Sequence, residues 1–127
     1  MKKTNRFFLK PFMFICLCLV TVTLMAAVYD PPGQPGKPKV IDWGRDYCTI
    51  KFTPPKTDGG SPILGYRIGY RYKGDLWQTA YKLVLSYEVK ITGLIEGSEV
   101  EFRVSAVNKE GEGVPSDPSK MVVVKPL

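Results

Sequence analysis

Beyond residue 38 the chain alternates apolar and polar side chains in short runs, and that rhythm predicts β-strands. Val100, Phe102, Val104 and Ala106 fall on one face of an extended segment, while Glu101, Arg103 and Ser105 fall on the other. Successive side chains of a strand point to opposite faces, so this run predicts one buried side and one wet side. Gly97 turns the chain before it, and Gly111, Gly113 and Pro115 form a loop after it. The same rhythm places Cys48, Ile50 and Phe52 together within a strand over Tyr47–Thr53, which ends at Pro54 and Pro55 because neither can donate to a ladder. It also places Leu64, Tyr66, Ile68, Tyr70 and Tyr72 in phase within a strand over Leu64–Tyr72.

Shorter elements fill the gaps. Lys39–Trp43 reads as a first strand, Leu76–Leu83 as an edge-like strand around Trp77, Val89 and Ile91 as the mark of another, and Met121–Val124 as the last. Turn residues separate them at Gly44–Asp46, Thr57–Pro62 and Lys73–Asp75, and no segment carries a helical period. About seven short strands with turn signals every ten residues or so predict an all-β protein, two sheets packed as a sandwich.

The first residues follow a different rule. Lys2, Lys3, Arg6 and Lys10 form a basic start, and Phe12–Val28 then runs for 17 residues without a charge. A basic region, an apolar region and small residues at Ala26 and Ala27 are the parts of a secretory signal peptide. Residues 1–27 therefore read as an apolar leader helix, either cleaved as a signal peptide or kept as a signal anchor. Leu24 or Met25 three residues before the cut is not small, which keeps the anchor open, and 17 residues is at the short end of a membrane span. A misassigned start fused to a fragment is the third possibility. Both targeting readings put the domain outside the cytosol, secreted or single-pass, with membrane contact only through residues 12–28. Residues 28–37, rich in proline and glycine, read as an extended linker, and 38–126 as the folded domain.

The leader changes the charge argument. The chain has 18 basic and 12 acidic residues, a net +6; the leader holds four of the basic ones and no acid, so the remainder is 14 against 12, a net +2. A balanced domain lacks the concentrated basic footprint that nucleic-acid binding needs. Cys16 and Cys18 belong to the leader, which leaves Cys48 with no partner for an intradomain disulfide. Its phase with Ile50 and Phe52 favours a small buried filler; the other reading, an intermolecular disulfide or a reactive thiol, needs an exposure that this pattern does not favour.

The quoted segments also carry a resemblance. PGQPGKP, IKFTPP, GGSPILGY, ITGLIEG, VEFRVSAVN and GEGVPSDPS occur in the order and spacing of a fibronectin type III domain. In style they resemble the tandem modules of the titin and twitchin class of muscle proteins. The resemblance covers Pro32–Pro126 and implies a seven-stranded immunoglobulin-like sandwich of sheets ABE and GFCC′ that serves as a spacer or recognition surface. Two positions depart from the family: Phe52 stands where it usually carries tryptophan, and Val100 where it carries the corner tyrosine. Valine cannot make the corner hydrogen bond, so the resemblance implies a loss of about 1 kcal/mol and a Val100→Tyr variant with a raised unfolding midpoint.

Chemistry is sparse. There is no histidine, which removes the commonest general base near neutral pH and the usual zinc ligand. No glycine-rich phosphate loop opens a helix, and Asp58, Glu110 and Glu112 do not have the spacing of a calcium loop. No catalytic residue, metal or cofactor is expected, and an enzyme is the least supported class.

What remains is surface. Arg67, Arg71 and Arg103 lie on predicted solvent faces of neighbouring strands, as does Glu101. They form either a ladder of charge pairs worth a few tenths of a kcal/mol each or a contact face for an acidic protein partner, with Trp77 as anchor or as cover for an arginine stem. Lys109 and Glu110 sit in a loop of the kind that carries recognition. Lys73, Gly74 and Asp75 form a weak integrin-like tripeptide that a turn explains as well. The sequence thus predicts a non-catalytic protein-interaction, adhesion or spacer module, secreted or membrane-anchored. The alternative is a fragment of an intracellular titin- or twitchin-like sarcomeric structural protein, and the absence of an Asn-x-Ser/Thr sequon favours it.

Overall fold

Apolar alternation closes into two facing sheets in the computed structural model, which describes residues 29–127. The expected leader helix lies outside the described residues. Among the described residues no helix is long and apolar enough to cross a membrane.

The smaller sheet holds β1 (Lys39–Trp43), β2 (Cys48–Lys51) and β5 (Glu88–Ile91), in the order β1-β2-β5. The larger holds β3 (Gly65–Tyr72), β4 (Gln78–Val84), β6 (Glu99–Asn108) and β7 (Gly111–Glu112), in the order β4-β3-β6-β7, with β8 (Val122–Val123) also on β6. All pairings are antiparallel. The two sheets correspond to those the resemblance implied, with the last strand in two pieces.

The core sits where the rhythm put it. Cys48, Ile50, Val89 and Ile91 face Tyr66, Ile68, Phe102, Val104 and Ala106, all buried. Phe52 takes the usual tryptophan position and is packed edge-on by Tyr66 and Tyr87, with ring centroids 5.0 and 5.9 Å away. Two tyrosine edges around one phenylalanine fill space that a larger indole would occupy, and such pairs add to plain area burial.

Three features differ from the sequence expectation. The run Tyr29–Pro38 is not a free linker. Asp30, Gly33 and Gly36 donate their N–H groups to Gly59, Thr57 and Thr53 carbonyls at 2.9, 3.0 and 3.1 Å. Pro32 and Pro35 between these rungs, and Pro38 after the last, are buried. Proline every third residue turns an apolar ring inward at the period of a polyproline helix, and the intervening residues supply the donors proline lacks. A Cβ at Gly36 would collide with the Thr53 side chain, so the close approach requires glycine there.

The closing strand is interrupted as well. Pro115 and Pro118 cannot donate, and the segment between β7 and β8 bonds to β6 in another way. Ser116 and Ser119 donate their N–H groups to the Val104 and Phe102 carbonyls at 2.7 and 2.8 Å. Their hydroxyls accept the N–H groups of Val104 and Phe102, both at 3.0 Å. The Phe102 and Val104 donors of the buried β6 segment thus stay satisfied, as buried backbone requires.

The corner bond is the third. Val100 lies opposite Tyr72 in the β3–β6 register, and the Tyr72 hydroxyl accepts the Ile95 N–H at 3.1 Å. A neighbouring strand supplies the hydroxyl, so no bond is missing at this corner.

Candidate functional site: the outer face of the larger sheet

The register of β3 against β6 decides which polar groups meet. Arg67, Gly69 and Arg71 alternate with the buried Tyr66 and Ile68 and the half-buried Tyr70, so they project from the outer face. Arg71 stands opposite Glu101, Gly69 opposite Arg103 and Arg67 opposite Ser105. Trp77, just before β4, lies over the gap that Gly69 leaves, where an added Cβ would touch both its ring and the Arg103 stem. The guanidinium carbons of Arg71 and Arg103 lie over the ring, 4.6 and 4.4 Å from its centroid. Cation–π contacts at exposed sites contribute about 0.5–1 kcal/mol each. Trp77 is therefore the shelf that holds two arginines, not a free aromatic anchor.

The charges are then distributed unequally. Arg71 is ion-paired with Glu101, whose side chain is only 11% exposed. The wet position expected for Glu101 is thus corrected: its side chain is mostly buried and is held by Arg71. Arg67 pairs with Glu112 at 3.1 Å and donates to Thr79 Oγ1 at 2.6 Å. Among the described residues no carboxylate pairs with Arg103. Arg67, Trp77, Thr79, Arg103, Ser105 and Glu112 line a groove of about 190 Å³ on this face. Thr79 and Glu112 are the members that the alternation pattern did not single out. Thr79 shares the phase of Trp77 and was within reach; Glu112 arrives only because the two-residue β7 pairs with the end of β6.

The other singled-out residues lie elsewhere. Lys109 and Glu110 occupy the exposed turn between β6 and β7, where Lys109 sits 5.1 Å from the Tyr29 ring. Lys73, Gly74 and Asp75 turn the chain at the opposite end of β6. Lys73 pairs with Glu99 at 3.4 Å, and the Asp75 N–H returns to the Tyr72 carbonyl at 3.0 Å. The last residue of β6 ties the loop end together. Asn108 is buried, donates to the Asp30 and Asp58 carbonyls at 2.8 and 2.7 Å, and accepts the Glu110 N–H at 2.8 Å.

Titration adds no reactive group. Burial, with the Asp42 charge second, pushes the Cys48 thiol up to about 11, away from the thiolate. Burial, followed by its contact with Tyr87, pushes Tyr66 up to about 12. Among the described residues no cluster of histidine, cysteine or acidic side chains could hold a metal ion.

Comparison with known proteins agrees with this architecture. The family model described as fibronectin type III domain matches residues 33–122. The cardiac-type myosin-binding protein C of Gallus gallus is 40% identical over 97 residues, covering 73% of this chain and 8% of the relative. A titin homolog of Caenorhabditis elegans is 37% identical over 99 residues, 77% of this chain. A crystal structure of domains A168–A170 from titin superposes with a TM-score of 0.73 at 31% identity, covering 76% of this chain and 33% of that one. The chain therefore spans a small part of the curated relatives it matches.

Proposed function

Because the chain belongs to the fibronectin type III family, we propose that it works as a protein-contact and spacer module of a titin-like or myosin-binding-protein-C-like structural protein. The module itself is non-catalytic, as its family membership and its likeness to the modules of those proteins indicate. The observation that carries the finer reading is identity of 40% to a myosin-binding protein C over a stretch of domain length. About 39 identical positions, 40% of 97, outnumber the 13 buried apolar core residues, so the likeness is not confined to the core. The partner is a protein. The contact face is the outer side of the larger sheet, where side chains are held rigidly by their neighbours rather than by loops. This reading places the module inside the cell.

The run Phe12–Val28 favours a second reading, in which the same module is exported or anchored outside the cytosol. Fractionation of cells that make the full chain, with N-terminal sequencing, separates the two. Recovery in the filament-bound cytosolic fraction supports the structural reading. A processed start near Val28 in the medium, or an intact leader in the membrane fraction, overturns it in favour of export.

A further inference from the structure

We propose that Arg103 is a preorganised receptor for one carboxylate side chain, Asp or Glu, of the protein partner. This deepens the contact-face reading and rests on it. Three arginines share the outer face, and two already have carboxylates: Arg71 has Glu101, and Arg67 has Glu112. Arg103 has none among the described residues, yet it is no loose surface chain. Its guanidinium is held 4.4 Å from the Trp77 centroid, and its strand is locked between β3 and the closing segment. Holding the head in place lowers the ordering cost that a long side chain normally brings to binding. A planar guanidinium offers a fork of donors that suits a carboxylate.

Size and charge narrow the guest. The groove beside Arg103 has a volume of about 190 Å³, the room of roughly six waters at about 30 Å³ each. That admits a single side chain and falls short of the ~300–1,000 Å³ usual for a small-molecule site. The hydroxyl of Thr79 and the buried Ser105 lie along it and provide polar walls. Glu112 lines it and Glu101 precedes Arg103 by two positions on β6, so the face carries a net charge of about one positive unit, three arginines against two glutamates. One negative charge matches that surplus. A phosphate, with nearly two, would meet both glutamates in addition to its arginine.

The test is a titration of the full isotope-labelled chain, read by NMR, with an acetylated Gly-Glu repeat peptide. A Gly-Gln repeat and inorganic phosphate form separate arms. The expected result is a shift of the Trp77 indole N–H and of the Thr79 and Ser105 amides with the Gly-Glu peptide alone. Arg103→Gln, with a dispersed spectrum showing that it folds, should weaken that binding about tenfold, and Arg103→Lys should fall between. Three results overturn the proposal: equal shifts with Gly-Gln, Gly-Glu binding undiminished in Arg103→Gln, or tighter binding of phosphate. A contact-face reading that fails by itself looks different. There the Gly-Glu peptide binds at Arg103 as described, but the chain retains no protein partner in the filament-bound fraction.

Discussion

Tyr72 stands directly across the β3–β6 ladder from Val100, and its hydroxyl accepts the Ile95 N–H at 3.1 Å. This exchange of positions reverses the expectation for Val100→Tyr. Val100 is fully buried, so a second ring there must compete with Tyr72 for one space. Overpacking of this kind costs ~1–3 kcal/mol. The Val100→Tyr midpoint in urea should therefore fall. Tyr72→Phe should fall by about 1 kcal/mol, and the swap Tyr72→Val with Val100→Tyr should recover part of the combined loss. A raised midpoint for Val100→Tyr alone would show that the space is open after all.

The serine hydroxyls along the interrupted closing strand should matter more than surface serines do. Ser119→Ala leaves the buried Phe102 N–H without its acceptor, and Ser116→Ala does the same to Val104. Each should destabilise by ~1–3 kcal/mol, the cost of an unsatisfied buried donor. Hydrogen exchange should accelerate at that single amide before it does elsewhere on β6. Unchanged exchange at Phe102 in Ser119→Ala would mean the hydroxyl is dispensable.

Cys48 should make the fold sensitive to alkali. Its thiol titrates at about 11 in the folded chain against an ordinary value of 9.0. Between those values the unfolded chain gives up the proton while the folded chain keeps it. Stability contributed by this group is therefore complete below pH 9 and is lost as pH rises towards about 11. A disulfide-exchange reagent should leave Cys48 unlabelled at pH 8 until denaturant is added. Stoichiometric labelling of Cys48 itself in the native chain under those conditions contradicts the burial.

Asn108 links three segments, so its loss should be felt in all of them. Asn108→Ala removes the donors to the Asp30 and Asp58 carbonyls and the acceptor for the Glu110 N–H. A loss of about 2 kcal/mol is expected from these partly buried bonds. Asn108→Asp should lose more, because it sets a carboxylate against two carbonyl oxygens. Limited proteolysis should cut the Tyr29–Pro38 run sooner in both variants. A resistant run would show that the prolines alone hold it.

Legibility followed the physics of each position. The core was readable at Ile50, Ile68, Phe102 and Val104 because burial on one face enforces a period of two. The arginine face was readable for the same reason, since Arg67, Arg71 and Arg103 are simply the opposite phase. What the period does not contain is where a neighbouring strand's side chain ends. That is why Glu101 reads as wet although it is mostly buried beside Arg71, and why the hydroxyl of Tyr72 at the corner goes unseen. Composition misleads at Tyr29–Pro38, where proline and glycine suggest slack chain. Their spacing of three, not their abundance, was the informative quantity.

The three rungs Asp30–Gly59, Gly33–Thr57 and Gly36–Thr53 lie one after another along that run. Loss of any one rung leaves the other two in place, so the docking of this run onto residues 53–59 is redundant and does not hang on a single bond.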